Sequence, residues 1–342
     1  MLRNKLPLLV LITALFFTLA GVAGCSSGEA DNAGESNSAK ETIVFADYNW
    51  QSALFNNRVA QFIIENGYGY KTDSMPGETI PLMQGMSTGD IDVSMEIWVQ
   101  NAQEAYDKWM GEGKYIDLGT NFDDNVQGLF VPTYIIKGDP ERGIEPMAPD
   151  LKSIEDLPRY WELFKDPEDP TKGRFYGGVP GWEADKILTE KFATYGLDKH
   201  YKIFRPGSGT ALATSLVKAY EEGKPWFGYY WAPTWVFGAL DLTQIEEPAY
   251  SEKLWKDGYG CAFPSVDVNI VVYKDMPEKA PEVVEFLKNY SLKSALISEA
   301  LAYMRENKVD ADEAAIWFLR EKTDIWTKWV PDDVAEKVKQ KL

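Results

Sequence analysis

The chain has 342 residues, 45% of them hydrophobic and 26% charged, enough for a sizeable core divided between roughly two domains. A formal net charge of −18 repels nucleic acid and anionic lipid headgroups, so no nucleic-acid partner is expected. Two cysteines and one histidine, His200, are too few for the usual zinc sites, and neither a metal nor a cofactor is expected.

The N-terminal stretch "MLRNKLPLLVLITALFFTLAGVAGC" carries Arg3 and Lys5, then an apolar run from Leu6 to Ala20, then small residues. That is the pattern of a secretion signal over residues 1–24, too short for a stable membrane span. Val22-Ala23-Gly24-Cys25 resembles the bacterial lipobox, which implies a lipid on Cys25 and a location outside the cytoplasm, anchored to a membrane. Residues 25–41 supply the tether. They are rich in Ser, Gly, Asn and Glu and lack aromatics, so they cannot bury enough surface to fold. With Cys25 lipidated only Cys261 remains, and no intrachain disulfide is expected.

"ETIVFADYNW" (41–50) reads as a buried strand ending at Trp50. Leu54, Val59, Phe62 and Ile63 follow at helical spacing, with Gly67 as the expected cap. A second strand covers "YGYKTDSMPG", a short helix "ETIPLMQGMSTGD", and a third strand "IDVSMEIWVQ" ends near Trp98, before the helix "NAQEAYDKWMGEG". "QGLFVPTYIIKG" (127–138) reads as a long strand with a proline inside, and 139–172 as a loose stretch with one short helix. A second set begins with "GRFYGGVPGW" and the helix "EADKILTEKFATYG". "YKIFRPGSG", the helix "TALATSLVKAYEEG" and the strand "PWFGYYWAP" follow. "GCAFPSVDVNIVVYK" (260–274) is another long strand-like run, and the remainder is helical. Alternating strands and helices predict an α/β fold of two lobes with parallel-type sheets. Lobe 1 is expected to comprise 42–131 and 265–342, and lobe 2 132–264. A cleft between such lobes is where small ligands prefer to bind.

Of twelve tryptophans, Trp50, Trp98, Trp182 and Trp231 each fall at or just past the end of a strand. Ligands of parallel α/β lobes bind outside the carboxyl ends of strands. One such aromatic would merely seal a core; four, two from each lobe, favour a site. Indole faces attract cations, and a desolvated one gains about 2 kcal/mol or more. A quaternary ammonium suits such faces, since it has no N–H to offer a carboxylate. Sugars also stack on tryptophan, but "GYYWAPTWVFG" and "GGVPGWEAD" are poor in the amides and charges that sugars need. Glu183 and Ala184 stand where a loop becomes a helix, and their amides can donate to an anion. The Glu183 side chain serves dipole compensation equally well. In "YYWAP", alternation puts Tyr229 and Trp231 on one face and Tyr230 on the other.

"GDIDVSMEIW" (89–98), "GVPGW" (178–182) and "YYWAPTW" (229–235), in that order, resemble the substrate-binding proteins of ABC importers for glycine betaine, choline and related quaternary amines. The resemblance spans most of residues 42–342. It implies a two-lobed clamshell of the type II periplasmic-binding class, with Trp98, Trp182 and Trp231 forming an aromatic box and Trp50 a fourth wall. It implies the amides of Glu183 and Ala184 as donors to a ligand carboxylate. It also implies delivery to an ABC permease and its ATPase subunits by a monomeric, non-enzymatic protein. Two positions depart from the pattern. Thr234 and Ala102 stand where many relatives have histidine, so no imidazole partner for a carboxylate is expected. Ser52 stands where choline-binding relatives can place an aspartate. The ligand class therefore stays open among glycine betaine, choline, carnitine and trimethylamine N-oxide. His200, the single histidine, is not read as part of a Ser-His-Asp triad, and "GSGTALATS" (207–215) lacks the lysine of a phosphate loop. It reads as a turn entering a helix. A tethered sensor with the same fold and a sugar-binding or sugar-active lipoprotein are the alternatives.

Overall fold

The computed structural model describes residues 40–342; the signal segment and Cys25 lie outside the described residues. Among these, no helix is long and apolar enough to cross a membrane. The chain runs β1 (Ile43–Tyr48), α1 (Gln51–Ile63), β2 (Thr72–Gly77), α2 (Thr79–Thr88), β3 (Val93–Trp98), α3 (Gln103–Gly111) and β4 (Tyr115–Phe122). It then crosses to β5 (Val126–Pro132), α4 (Tyr134–Lys137), β6 (Gly173–Tyr176), α5 (Glu183–Thr194) and β7 (Tyr201–Phe204). α6 (Gly209–Glu221), β8 (Gly228–Ala232), α7 (Trp235–Ala239), β9 (Leu242–Gln244) and α8 (Glu252–Lys256) follow. β10 (Val268–Tyr273) returns to the first sheet. The C-terminal helices are α9 (Met276–Lys279), α10 (Pro281–Asn289), α11 (Ser294–Asn307), α12 (Ala311–Glu321), α13 (Thr323–Trp326) and α14 (Asp332–Lys339).

The ten strands form two five-stranded sheets of matching design, ordered β2-β1-β3-β10-β4 and β7-β6-β8-β5-β9. β1 runs parallel to β2 and β3, and β6 parallel to β7 and β8. β10 is antiparallel to β3 and β4, and β5 antiparallel to β8 and β9. Both sheets are thus mixed rather than purely parallel. In each, the fourth strand is the one that has just crossed from the other lobe, so it enters from the opposite end. β5 pairs along its whole length with the second sheet. The crossing therefore precedes residue 126, ahead of the boundary expected after 131.

Helices cover both faces, which is why β3, "VSMEIW", is buried along nearly its whole length. Phe55 of α1 meets Phe318 of α12 edge-on at 5.5 Å, and Trp326 and Trp329 are buried beside them. Each such side chain contributes about 1.5–3 kcal/mol by leaving water. Asp310 caps α12, accepting from the Glu313 amide at 3.0 Å. Ser208 caps α6 through the Ala211 amide, so "GSGTALATS" is a turn entering a helix.

Several local expectations change. The run 127–138 ends as a strand at Pro132 and turns into α4, because Pro132 removes a ladder donor. The run 260–274 is a strand only from Val268. The left-handed cap after α1 is Gly69, φ 74°, not Gly67. Gly67 lies within a π-turn where a Cβ would stand 2.6 Å from Val334 Cγ1 of α14.

Candidate ligand-binding site

The four strand-end tryptophans occupy the handover from strand to next element. Trp50 is the N-cap position of α1, Trp98 the last residue of β3, Trp182 the N-cap position of α5, and Trp231 lies near the end of β8. All four line one cavity, together with Thr79, Glu96, Asn101, Ala102, Gln127, Glu183, Ala184 and Tyr229. Trp182 meets Trp50 edge-on at 6.0 Å, and meets Trp231 edge-on at 5.0 Å. Behind them Tyr48 stacks on Trp50 at 4.5 Å, and Tyr229 on Trp231 at 5.9 Å. Trp98 packs edge-on against Phe122 at 5.9 Å. The structure therefore brings together every tryptophan expected in the box, two from each sheet.

The lobes meet at this cavity through polar contacts that hold the indoles. Trp182 Nε1 donates to Asn49 Oδ1 at 2.6 Å, and Asn49 Nδ2 donates to Glu78 Oε1 at 2.8 Å. Gly181 permits the approach. Its φ is +96°, and a Cβ there would lie 2.6 Å from Glu78 Cγ on the other lobe. On the opposite wall Asn101 Nδ2 donates to Gln127 Oε1 at 2.9 Å, and the Tyr229 hydroxyl donates to the same oxygen at 2.8 Å.

A further acid, Glu96, lines the cavity beside the tryptophans. Glu96 of β3 is 1% exposed. Its Oε2 accepts from Trp50 Nε1 at 2.7 Å, Ser52 Oγ at 3.0 Å and Trp98 Nε1 at 3.4 Å, while Oε1 accepts from Asn56 Nδ2 at 2.8 Å. Burial pushes its carboxyl up to about 7, against the pull of these four donors. A signal was present: an acid between Met95 and Ile97, two residues before Trp98 and so on its face of the strand. Ser52, noted for not being an acid, is a donor to this one. Tyr229 shares the face of Trp231, as alternation predicts, whereas Gln127 and Asn101 carry no comparable signal, because their pairing joins segments far apart in sequence.

Glu183 and Ala184 open α5 with the cavity at their side. Burial raises the Glu183 carboxyl, Lys186 opposes the rise, and Glu104 adds to it. Among the described residues, no Lys, Arg or His lines the cavity. Of the two departures from the family pattern, only Ala102 lies on it. Thr234 is buried at the start of α7 on a neighbouring chamber, which Tyr230 and Trp235 also line. Tyr229 and Tyr230 thus face opposite ways.

Residues 41–321 match the family described as the substrate-binding domain of the ABC-type glycine betaine transport system. The trimethylamine N-oxide-binding protein of Pelagibacter ubique is 24% identical over 320 residues, 93% of this chain and 97% of that protein. The glycine betaine/proline betaine-binding periplasmic protein of Escherichia coli is 23% identical over 234 residues, 65% of this chain and 68% of that one. An ABC-transporter choline-binding protein solved with choline superposes with a TM-score of 0.71 at 18% identity, covering 88% of this chain and 97% of that chain. This last likeness bears on the fold alone: the two-lobed α/β clamshell of periplasmic binding proteins.

Proposed function

This chain belongs to the substrate-binding family of ABC-type glycine betaine transport systems, and we propose that its four-tryptophan cavity is the ligand site. It takes the methylated cationic head of a small osmolyte and presents the closed protein to an ABC permease. The observation that carries this reading is the convergence of Trp50, Trp98, Trp182 and Trp231, from two sheets, on a cavity with no cationic lining among the described residues. Indole faces attract a desolvated methylated cation, and one bound between lobes favours the closed arrangement.

The oxygen-bearing end of the ligand meets the Glu183 and Ala184 amides at the start of α5. With two carboxyls on the cavity and, among the described residues, no Lys, Arg or His, trimethylamine N-oxide and choline are expected to bind more tightly than glycine betaine. The relative matched over 93% of this chain is a trimethylamine N-oxide-binding protein, which supports that ligand. Signal removal after residue 24, a lipid on Cys25 and a tether to residue 41 complete the reading of a monomeric, non-enzymatic, extracytoplasmic protein. Its lobes are 42–125 with 265–342, and 126–264.

A thermal-shift panel tests it, with glycine betaine, choline, carnitine, trimethylamine N-oxide and dimethylsulfoniopropionate, and proline and maltose as controls. A ligand bound only by the folded state raises the melting temperature. A shift with methylated cations is expected; a shift with maltose or proline only would contradict the assignment.

A further inference from the structure

Glu96 presents a buried carboxyl group surrounded by donors and by no cation. Trp50 Nε1, Trp98 Nε1 and Asn56 Nδ2 point hydrogens at it, and none of these nitrogens can accept a proton. The Asn56 oxygen is occupied by the Tyr290 hydroxyl at 2.7 Å. Only Ser52 Oγ could turn from donor to acceptor. The nest is therefore built for the anion. Yet no Lys, Arg or His among the described residues forms an ion pair with Glu96. The titratable groups packed nearest are phenols: Tyr48 of β1, whose hydroxyl pairs with Ser94 at 3.1 Å, and Tyr290 after α10. Burial holds both protonated. Glu183 faces the same cavity from the second lobe. Hydrogen bonds alone do not offset the burial of a carboxylate that has no counter-ion, and burial raises the Glu96 carboxyl in spite of its donors.

We propose that the bound cation is the counter-ion of Glu96, and that ligand entry exchanges a methylated cation for the Glu96 proton. The carboxylic O–H bond breaks heterolytically, its electron pair stays on the carboxylate, and the proton leaves to solvent; no bond to the ligand forms. The two indole N–H donors tie the charge to the box itself, because the anion they bind makes the ring faces above it more negative. Glu96 is a positioning and charge-setting residue. This inference rests on the assignment of the box as the ligand site.

The test is calorimetric titration of the purified chain with choline, a cation at every pH, in two buffers of different ionisation heat. With a carboxyl near 7 when free, affinity is expected to rise about 30-fold between pH 5.5 and 8.5. About one proton is expected to be released per choline at the acid end and none at the alkaline end. The uncharged carbon analogue 3,3-dimethyl-1-butanol should release none at either. Glu96→Gln should bind choline more weakly at pH 8.5 and lose the pH dependence, while Glu183→Gln should keep it. Proton release needs no variant, so a misfolded Glu96→Gln leaves the test intact. Choline binding without proton release, or a pH dependence removed by Glu183→Gln and kept by Glu96→Gln, overturns the exchange and leaves the box standing. Binding of no methylated cation at any pH overturns both.

Discussion

Two buried glutamates, one in each lobe, sit in opposite surroundings. Glu247, in the second lobe, has a side chain only 1% exposed that pairs with the fully buried side chain of Lys191 at 2.7 Å. The Tyr195 hydroxyl donates to the same oxygen at 3.0 Å. Glu96, in the first lobe, is equally buried and has donors but no cation. Burial raises both carboxyls and lowers the Lys191 ammonium. Where the chain supplies the counter-ion, the charge ties α5 to the segment before α8. Where it supplies none, the carboxyl lies beside the cavity that the four tryptophans line. A buried acid is thus informative through what is missing around it.

The comparison breaks most visibly at Lys191. Lys191→Met leaves Glu247 buried and unpaired, and is expected to cost about 3–5 kcal/mol of stability in urea denaturation. The folded fraction should bind choline as before, and Glu247→Leu in the same chain should recover most of the loss. Trp231→Ala should act in the opposite sense, keeping a cooperative melt while calorimetry finds choline affinity down about 30-fold, the equivalent of about 2 kcal/mol. Gly181→Ala probes the meeting of the lobes, because its Cβ would clash with Glu78 only when they are together. A loss of about tenfold in affinity is expected, with a smaller ligand-induced decrease in the radius of gyration by X-ray scattering. Asn49→Ala removes the acceptor for the Trp182 indole and should cost about fivefold, near 1 kcal/mol, read in the same titration.

Much of this was legible in the residues themselves. Tryptophans at strand ends survive as a signal because alternation and helix caps are local, and all four converge. β4 has no clear pattern of its own because Gly119 and Asn121 interrupt its run, and its pairing with β10 defines it. Pro132 closes β5, but where each strand begins or ends depends on which sheet offers partners, and β10 starts only at Val268. Glu96 had a local sign, an acid on a buried strand face. The lack of any cation near it is a property of the packed lobe and has no trace in spacing. The Asn49–Trp182 contact joins residues 133 positions apart, and only the assembled cleft brings them together.

The most direct measurement is a calorimetric comparison of choline with 3,3-dimethyl-1-butanol at pH 8.5. The two differ in little but a positive charge at the quaternary centre. Choline is expected to bind at least about 30-fold more tightly, as about 2 kcal/mol from indole faces requires. Equal affinities would mean that the four tryptophans recognise apolar shape, and that the cation has no special place among them.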